Sequence, residues 1–104
     1  MSEATVTRWQ STHTPTRDAI EAIFRQGGLS ASWWSNGPGY RYAAHSHSYH
    51  KVLYCARGSI RFVLEGAGEA VDLGPGDRLD LPPATLHSAL TGPEGVTCAE
   101  AARS

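Results

Sequence analysis

The sequence predicts an all-β domain with one short helix near its N-terminus. Three observations carry that prediction. The chain of 104 residues holds 11 glycines and 6 prolines, a density of breakers that suits many turns between short strands. From Leu29 onward, apolar and polar residues alternate in short runs with turn signals about every 8 to 12 residues, the rhythm of a small sandwich or barrel. Helical spacing is kept in one stretch alone, after Thr14-Pro15.

Residues 4–9, containing TVTRW, are β-prone and predict an edge strand. Thr14-Pro15 reads as an N-cap followed by proline at the first helical position, where the missing N–H is not needed. Ile20, Ile23 and Phe24 then share one helical face, and Gly27-Gly28 supplies the left-handed stop. The helix is expected to lie across an open edge or end of the β-structure. LSASWWS forms the next strand; Trp33 and Trp34 must face opposite ways, one toward the interior. After SNGPG, the strand from Tyr40 carries YRYAAHSH, and a tight link at residues 48–50 leads to KVLYCA and a turn at Arg57-Gly58. SIRFVLE, EAVDL, RLDL, LHSALT and VTCAEAA follow as strands, divided by GAG, GPG, Pro82-Pro83 and GPEG, and AARS forms a loose end.

Composition bounds the function. A chain this short is one domain. A formal net charge of −1 gives no electrostatic reason to expect nucleic acid or an anionic membrane as partner. Apolar runs fall far short of the roughly 18 residues that a membrane span needs, and MSEATVTRW lacks a secretory pattern, so a cytoplasmic location is expected. Cys55 and Cys98 read as free, buried thiols; Cys55 is also a candidate for lining a pocket.

The histidines carry the chemistry. On an extended strand, His45 and His47 share a face about 6 to 7 Å apart, close enough to clasp one ion. His87 stands behind a turn-rich GPG and a proline pair, where a third ligand would arrive from another part of the fold. The parity that turns His45 and His47 inward also turns Arg41 and Ala43 inward and leaves Tyr40, Tyr42 and Ala44 outside. Arg41 then sits near an open end as a paired structural residue or an anchor for an anion. His13 reads as a surface residue.

Two stretches together resemble the paired motifs of the cupin superfamily. Gly39, His45, His47 and Gly58 are in register with the first motif, and Gly76, Pro82 and His87 with the second. Lys51 stands where the first motif has glutamate, Ala84 where the second has glycine, and Thr91 where it has asparagine. The resemblance spans residues 39–91 without a gap. It implies a double-stranded β-helix, or jelly-roll barrel, over residues 29–104, with residues 1–28 forming an N-terminal strand and helix packed on it, and it implies a homodimer. It also implies that His45, His47 and His87 bind one divalent transition metal. An all-imidazole set suits iron, nickel, copper or zinc. Dioxygenase, isomerase or lyase chemistry on a small polar or anionic organic ligand is implied in turn. A different class is open as well, a non-catalytic small-molecule binding or sensor module without metal, with Lys51 as its charge anchor.

Lys51 is the only lysine beside eight arginines. An ammonium about 5 Å from a divalent ion is repelled by roughly 6 to 7 kcal/mol at an effective dielectric near 20. It must swing away, lose its proton to become a base or ligand, or hold an anionic substrate as a clamp or acid/base group, unless no metal binds. His50 could replace the missing carboxylate as a fourth ligand, although its spacing favours a supporting place at the rim. Tyr49 and Tyr54 read as core or rim aromatics. Thr91 is expected to satisfy local backbone.

Overall fold

The computed structural model describes residues 3–103. Its elements in order are β1 (Thr5–Thr7), α1 (Arg17–Gln26), β2 (Ser32–Asn36), β3 (Arg41–His45), β4 (His50–Leu64), β5 (Glu69–Leu73), β6 (Arg78–Leu81) and β7 (His87–Arg103). All strand pairs are antiparallel. Strands β4 and β7 pair with each other from His50↔Arg103 to Leu64↔His87. Their outer halves extend through β6 and β1 on one side and β2 on the other; their inner halves take β5 and β3. Two sheets that share two bent strands make the jelly roll that the resemblance implied.

Two predicted turns are bends within these long strands. The chain does not reverse at Arg57-Gly58 or at GPEG. Register shifts flank Gly58 in β4, and both Gly58 and Gly95 have positive φ, 73° and 75°. A side chain at Gly58 would place its Cβ 2.1 Å from the Gly95 carbonyl oxygen. Paired glycines thus let both strands turn the corner together without losing their ladder. At the C-terminus, Ala101–Arg103 continue β7 and pair with His50–Val52 rather than lying loose. Ser104 lies outside the described residues.

Alternation along β4 explains its apolar run. Leu53, Cys55, Ile60, Phe62 and Leu64 face the barrel interior with Leu73, Leu79, Leu81, Val96 and Cys98. Val52, Tyr54 and Ala56 face the other way, with Ala99 and Ala101 of β7, and pack against Ile20 and Phe24. Helix α1 therefore covers a sheet face, not an edge. Its N-cap is Thr16, whose hydroxyl accepts the Ala19 N–H at 3.1 Å, so the helix starts two residues after the expected Thr14. At its end Gly28 has φ 75°, and the Leu29 and Gly28 N–H groups close on the Phe24 and Arg25 carbonyls, a Schellman stop. Trp33 turns to this face, with its indole on Glu21, and Trp34 turns inward.

The second motif's turn shows one local conflict. Ala84 holds φ 64°, and its N–H reaches the His47 carbonyl at 2.8 Å. This left-handed conformation costs an L-residue about 1 to 2 kcal/mol, and Ala84 is exposed. Ala84→Gly is expected to raise stability by about 0.5 to 1 kcal/mol, since glycine's extra unfolded-state entropy offsets part of the relief. A urea midpoint unchanged or lowered at constant slope would contradict this.

Candidate metal centre and ligand cavity

Three elements bring the histidines together. His45 ends β3 and pairs in register with His87, the first residue of β7. His47 is not on the strand, because β3 stops at His45 and His47 lies in the following loop. The ligand nitrogens of His45, His47 and His87 lie within 4.8 Å of one another. The rings are close, with centroids 4.8 Å apart for His45 and His47, 4.5 Å for His45 and His87, and 5.4 Å for His47 and His87.

The outer nitrogens are already anchored. His45 Nδ1 donates to the Ala43 carbonyl and His87 Nδ1 to the Thr85 carbonyl, each at 2.8 Å. Each hydrogen bond puts the proton on Nδ1 and leaves the Nε2 lone pair available, as a ligating imidazole requires. His47 Nε2 is buried and has no hydrogen-bond partner, the one such side-chain atom among the described residues. Such an orphan costs about 1 to 3 kcal/mol. Burial foremost, then Lys51 and the other two imidazoles, lowers the His47 pKa; burial, with lesser effects of His45 and Lys51, also lowers that of His87 against the opposing Thr85 hydrogen bond. Three imidazoles that share a corner, one of them without a partner, fit a transition-metal ion.

The protonation states set an acid limit on the metal-free fold. Folded His47 and His87 have pKa values below the ordinary 6.5. The unfolded chain therefore binds more protons just below pH 6.5, and stability is lost as pH falls through that value. Asp72, Asp77 and Asp80 also titrate below their ordinary 3.8. For Asp77, burial pushes upward, but the Gly74 and Trp9 N–H groups and the Arg8 guanidinium outweigh it. These carboxylates add a second loss below about pH 4. Urea titrations from about pH 8 to 3 are expected to show both steps, and a flat profile above about pH 5 would exclude the histidine contribution.

Beside the histidines opens a cavity of about 300 Å³, lined by Trp34, Asn36, Tyr42, His45, Lys51, Leu53, Ile60, Phe62, His87, Ala89 and Glu100. Lys51 does project inward, as its slot suggested, with its side chain 11% exposed. The partner it needs is Glu100 of β7, whose Oε1 stands 3.2 Å from Nζ. The pairing follows from register: Lys51 opposes Ala102, so Glu100 is its diagonal neighbour on the same face. A carboxylate does return to the pocket, on a different strand from the one the motif uses.

One expectation is corrected here, and two of the alternatives left open give way to the favoured readings. Arg41 is exposed, and Tyr42 lines the cavity instead. Between Tyr42↔Ala89 and His45↔His87 the register slips by one residue, and this bulge reverses the side-chain parity. His50 supplies no fourth ligand; its Nε2 bonds Asp80 Oδ1 at 3.0 Å, on β6. Cys55 does not line the cavity but lies fully buried opposite Cys98. As expected, Thr91 serves local backbone, donating to the Gly37 carbonyl and accepting from the Tyr40 N–H. Tyr54 packs edge-on against Phe24 in the helix-side core, and Tyr49 stacks on His47 at the rim.

The family described as AraC-like ligand binding domain matches residues 35–97, more than half of the chain. The chain belongs to that family. This AraC-like domain is a small cupin, as comparison with solved structures also shows. An RmlC-like cupin from Shewanella frigidimarina shares 24% identity at TM-score 0.62, with 71% of this chain and 64% of that one covered. KdgF from Halomonas sp. shares 28% at TM-score 0.60, covering 71% and 68%. The DMSP lyase DddQ from Ruegeria pomeroyi shares 25% at TM-score 0.66, covering 73% and 38%, so the AraC-like domain spans little more than a third of that protein. No curated protein matches the sequence significantly. No helix among the described residues is long and apolar enough to cross a membrane.

Proposed function

We propose that this cupin holds one divalent transition metal on His45, His47 and His87 and presents it to a small polar or anionic organic molecule for lyase- or isomerase-like chemistry. The observation that carries the reading is the buried, unpartnered Nε2 of His47 beside two imidazoles whose Nδ1 atoms are anchored to backbone. Iron, nickel, copper and zinc all suit the donor set. When bound, such an ion supplies a Lewis acid that polarises a carbonyl or carboxylate oxygen. The likeness to a lyase at 25% identity supports the reaction class.

The chain's own residues divide the remaining work. Leu53, Ile60, Phe62 and Ala89 give the cavity an apolar wall. Lys51 supplies a positive charge beside the histidines and acts as an anion clamp or acid/base group, and Glu100 offsets part of the repulsion between that ammonium and the ion. Tyr42, whose pKa is raised by burial against the opposing Asn36 hydrogen bond, stays a neutral O–H at the wall.

A second reading has its own support in the family's description as a ligand binding domain. In it the cavity binds a small molecule without metal or catalysis, and Lys51 anchors its charge. Metal analysis decides between them. About one equivalent of metal is expected in protein purified without chelators, and its loss in His47→Ala. Metal-free protein whose melting temperature does not respond to added zinc or iron would leave the binding module.

A further inference from the structure

Glu100 has a feature that ion pairing with Lys51 does not explain. Trp34 Nε1 donates to Oε1 at 3.0 Å, and Lys51 Nζ stands 3.2 Å from the same oxygen as an ion pair. Oε2 has no hydrogen-bond partner among the described residues, and Glu100 lines the cavity with its side chain 25% exposed. A carboxylate offers about four acceptor sites. Oε2 keeps access to water in the open cavity, and it loses that water only when a ligand fills the space beside it. A hydrogen bond from Trp34 of β2 and the charge of Lys51 of β4 both fall on Oε1, so the group is oriented in advance and Oε2 is its free acceptor. On the same walls, Lys51 has N–H groups to spare, and Tyr42 accepts from Asn36 Nδ2 with its own proton directed elsewhere.

Resting on the cavity assigned above as the ligand site, we propose that Glu100 determines specificity by accepting a hydrogen bond from the ligand, which is a small hydroxy acid. The hydroxyl proton goes to Glu100 Oε2, and the carboxylate goes toward Lys51 and the histidines. A simple carboxylate leaves Oε2 desolvated without a partner and is rejected, the asymmetry by which a buried polar group excludes analogues that cannot pair with it.

Glycolate, methoxyacetate and acetate test this, because only glycolate brings the proton. In calorimetric titrations of the purified protein, metal-loaded and chelator-treated, glycolate is expected to bind at least about tenfold more tightly than either of the others. In Glu100→Gln the Trp34 N–H holds the amide oxygen, so an NH₂ replaces the free acceptor and the preference shrinks to under about threefold. In the chelator-treated protein, where no ion can chelate the hydroxyl, the methoxyacetate comparison needs no variant and decides the matter even if Glu100→Gln does not fold. Equal binding of all three by metal-loaded protein overturns the role of Glu100 and leaves the metal centre standing. Glycolate preference in a protein that takes up no metal supports Glu100 and overturns the metal centre instead.

Discussion

His87→Ala is expected to abolish stoichiometric metal binding and to lower stability by about 3 kcal/mol, whereas His45→Ala abolishes the same binding at a stability cost under about 1 kcal/mol. The difference comes from where the two rings sit. His87 is 2% exposed, fixed to the Thr85 carbonyl at 2.8 Å and packed beside Phe62. Truncation removes a buried ring, leaves a cavity its rigid neighbours cannot fill, and strands a carbonyl that has lost its donor. His45 is exposed at the end of β3, and its loss opens the rim to water. Ligation needs both, because two remaining imidazoles leave an ion with too few protein donors to compete with solvent. Metal content by mass spectrometry and urea unfolding of the chelated proteins read the two effects separately. Full metal occupancy in His45→Ala would remove His45 from the centre, and equal stability losses in the two variants would contradict the burial argument.

Most of this arrangement is written in the spacing of a few residues. Gly39, His45-x-His47 and Gly58, followed by Gly76, Pro82 and His87, point to the barrel and to the histidine corner before any coordinates. Several of these positions have mechanical reasons. Gly76 has φ 92°, and a Cβ there would overlap the Trp9 indole; Gly39 and Gly58 have positive φ. What stayed hidden depends on register. Strict alternation from His45 back to Arg41 puts the arginine inside, and a single extra residue in β3 puts Tyr42 there instead. Glu100 is legible in the sequence: it is the one charged residue in VTCAEAA, and it shares parity with Cys98, a core residue. That strand holds the partner that an inward ammonium at Lys51 demands. His50 shows the opposite limit, since nothing in its spacing points to Asp80 thirty residues away.

The strand bends at Gly58 and GPEG lead to the other large effect. Two successive β-runs with a glycine between them look alike whether the chain reverses or bends, and the distinction lies in what crosses the glycine. Here that is a second strand. The Gly95 carbonyl oxygen occupies the position a Gly58 Cβ would take, at 2.1 Å, and Gly95 is itself confined, with the Asn36 carbonyl oxygen 2.6 Å from its own Cβ position. Gly58→Ala is therefore expected to cost at least about 3 kcal/mol, combining about 1 to 2 kcal/mol for a left-handed alanine with the displacement of a neighbouring backbone that is locked in turn by β2. Gly39→Ala serves as the control. It has φ 65° but open space around its Cβ position, so it should lose only the conformational part. The corner also sets how β4 passes from Lys51 and Leu53 to Ile60 and Phe62, all of which wall the cavity. Shifting it should weaken metal binding as well as folding, even though no histidine is touched. If Gly58→Ala and Gly39→Ala unfold at the same urea concentration, the close approach of the two strands is not what requires glycine at position 58.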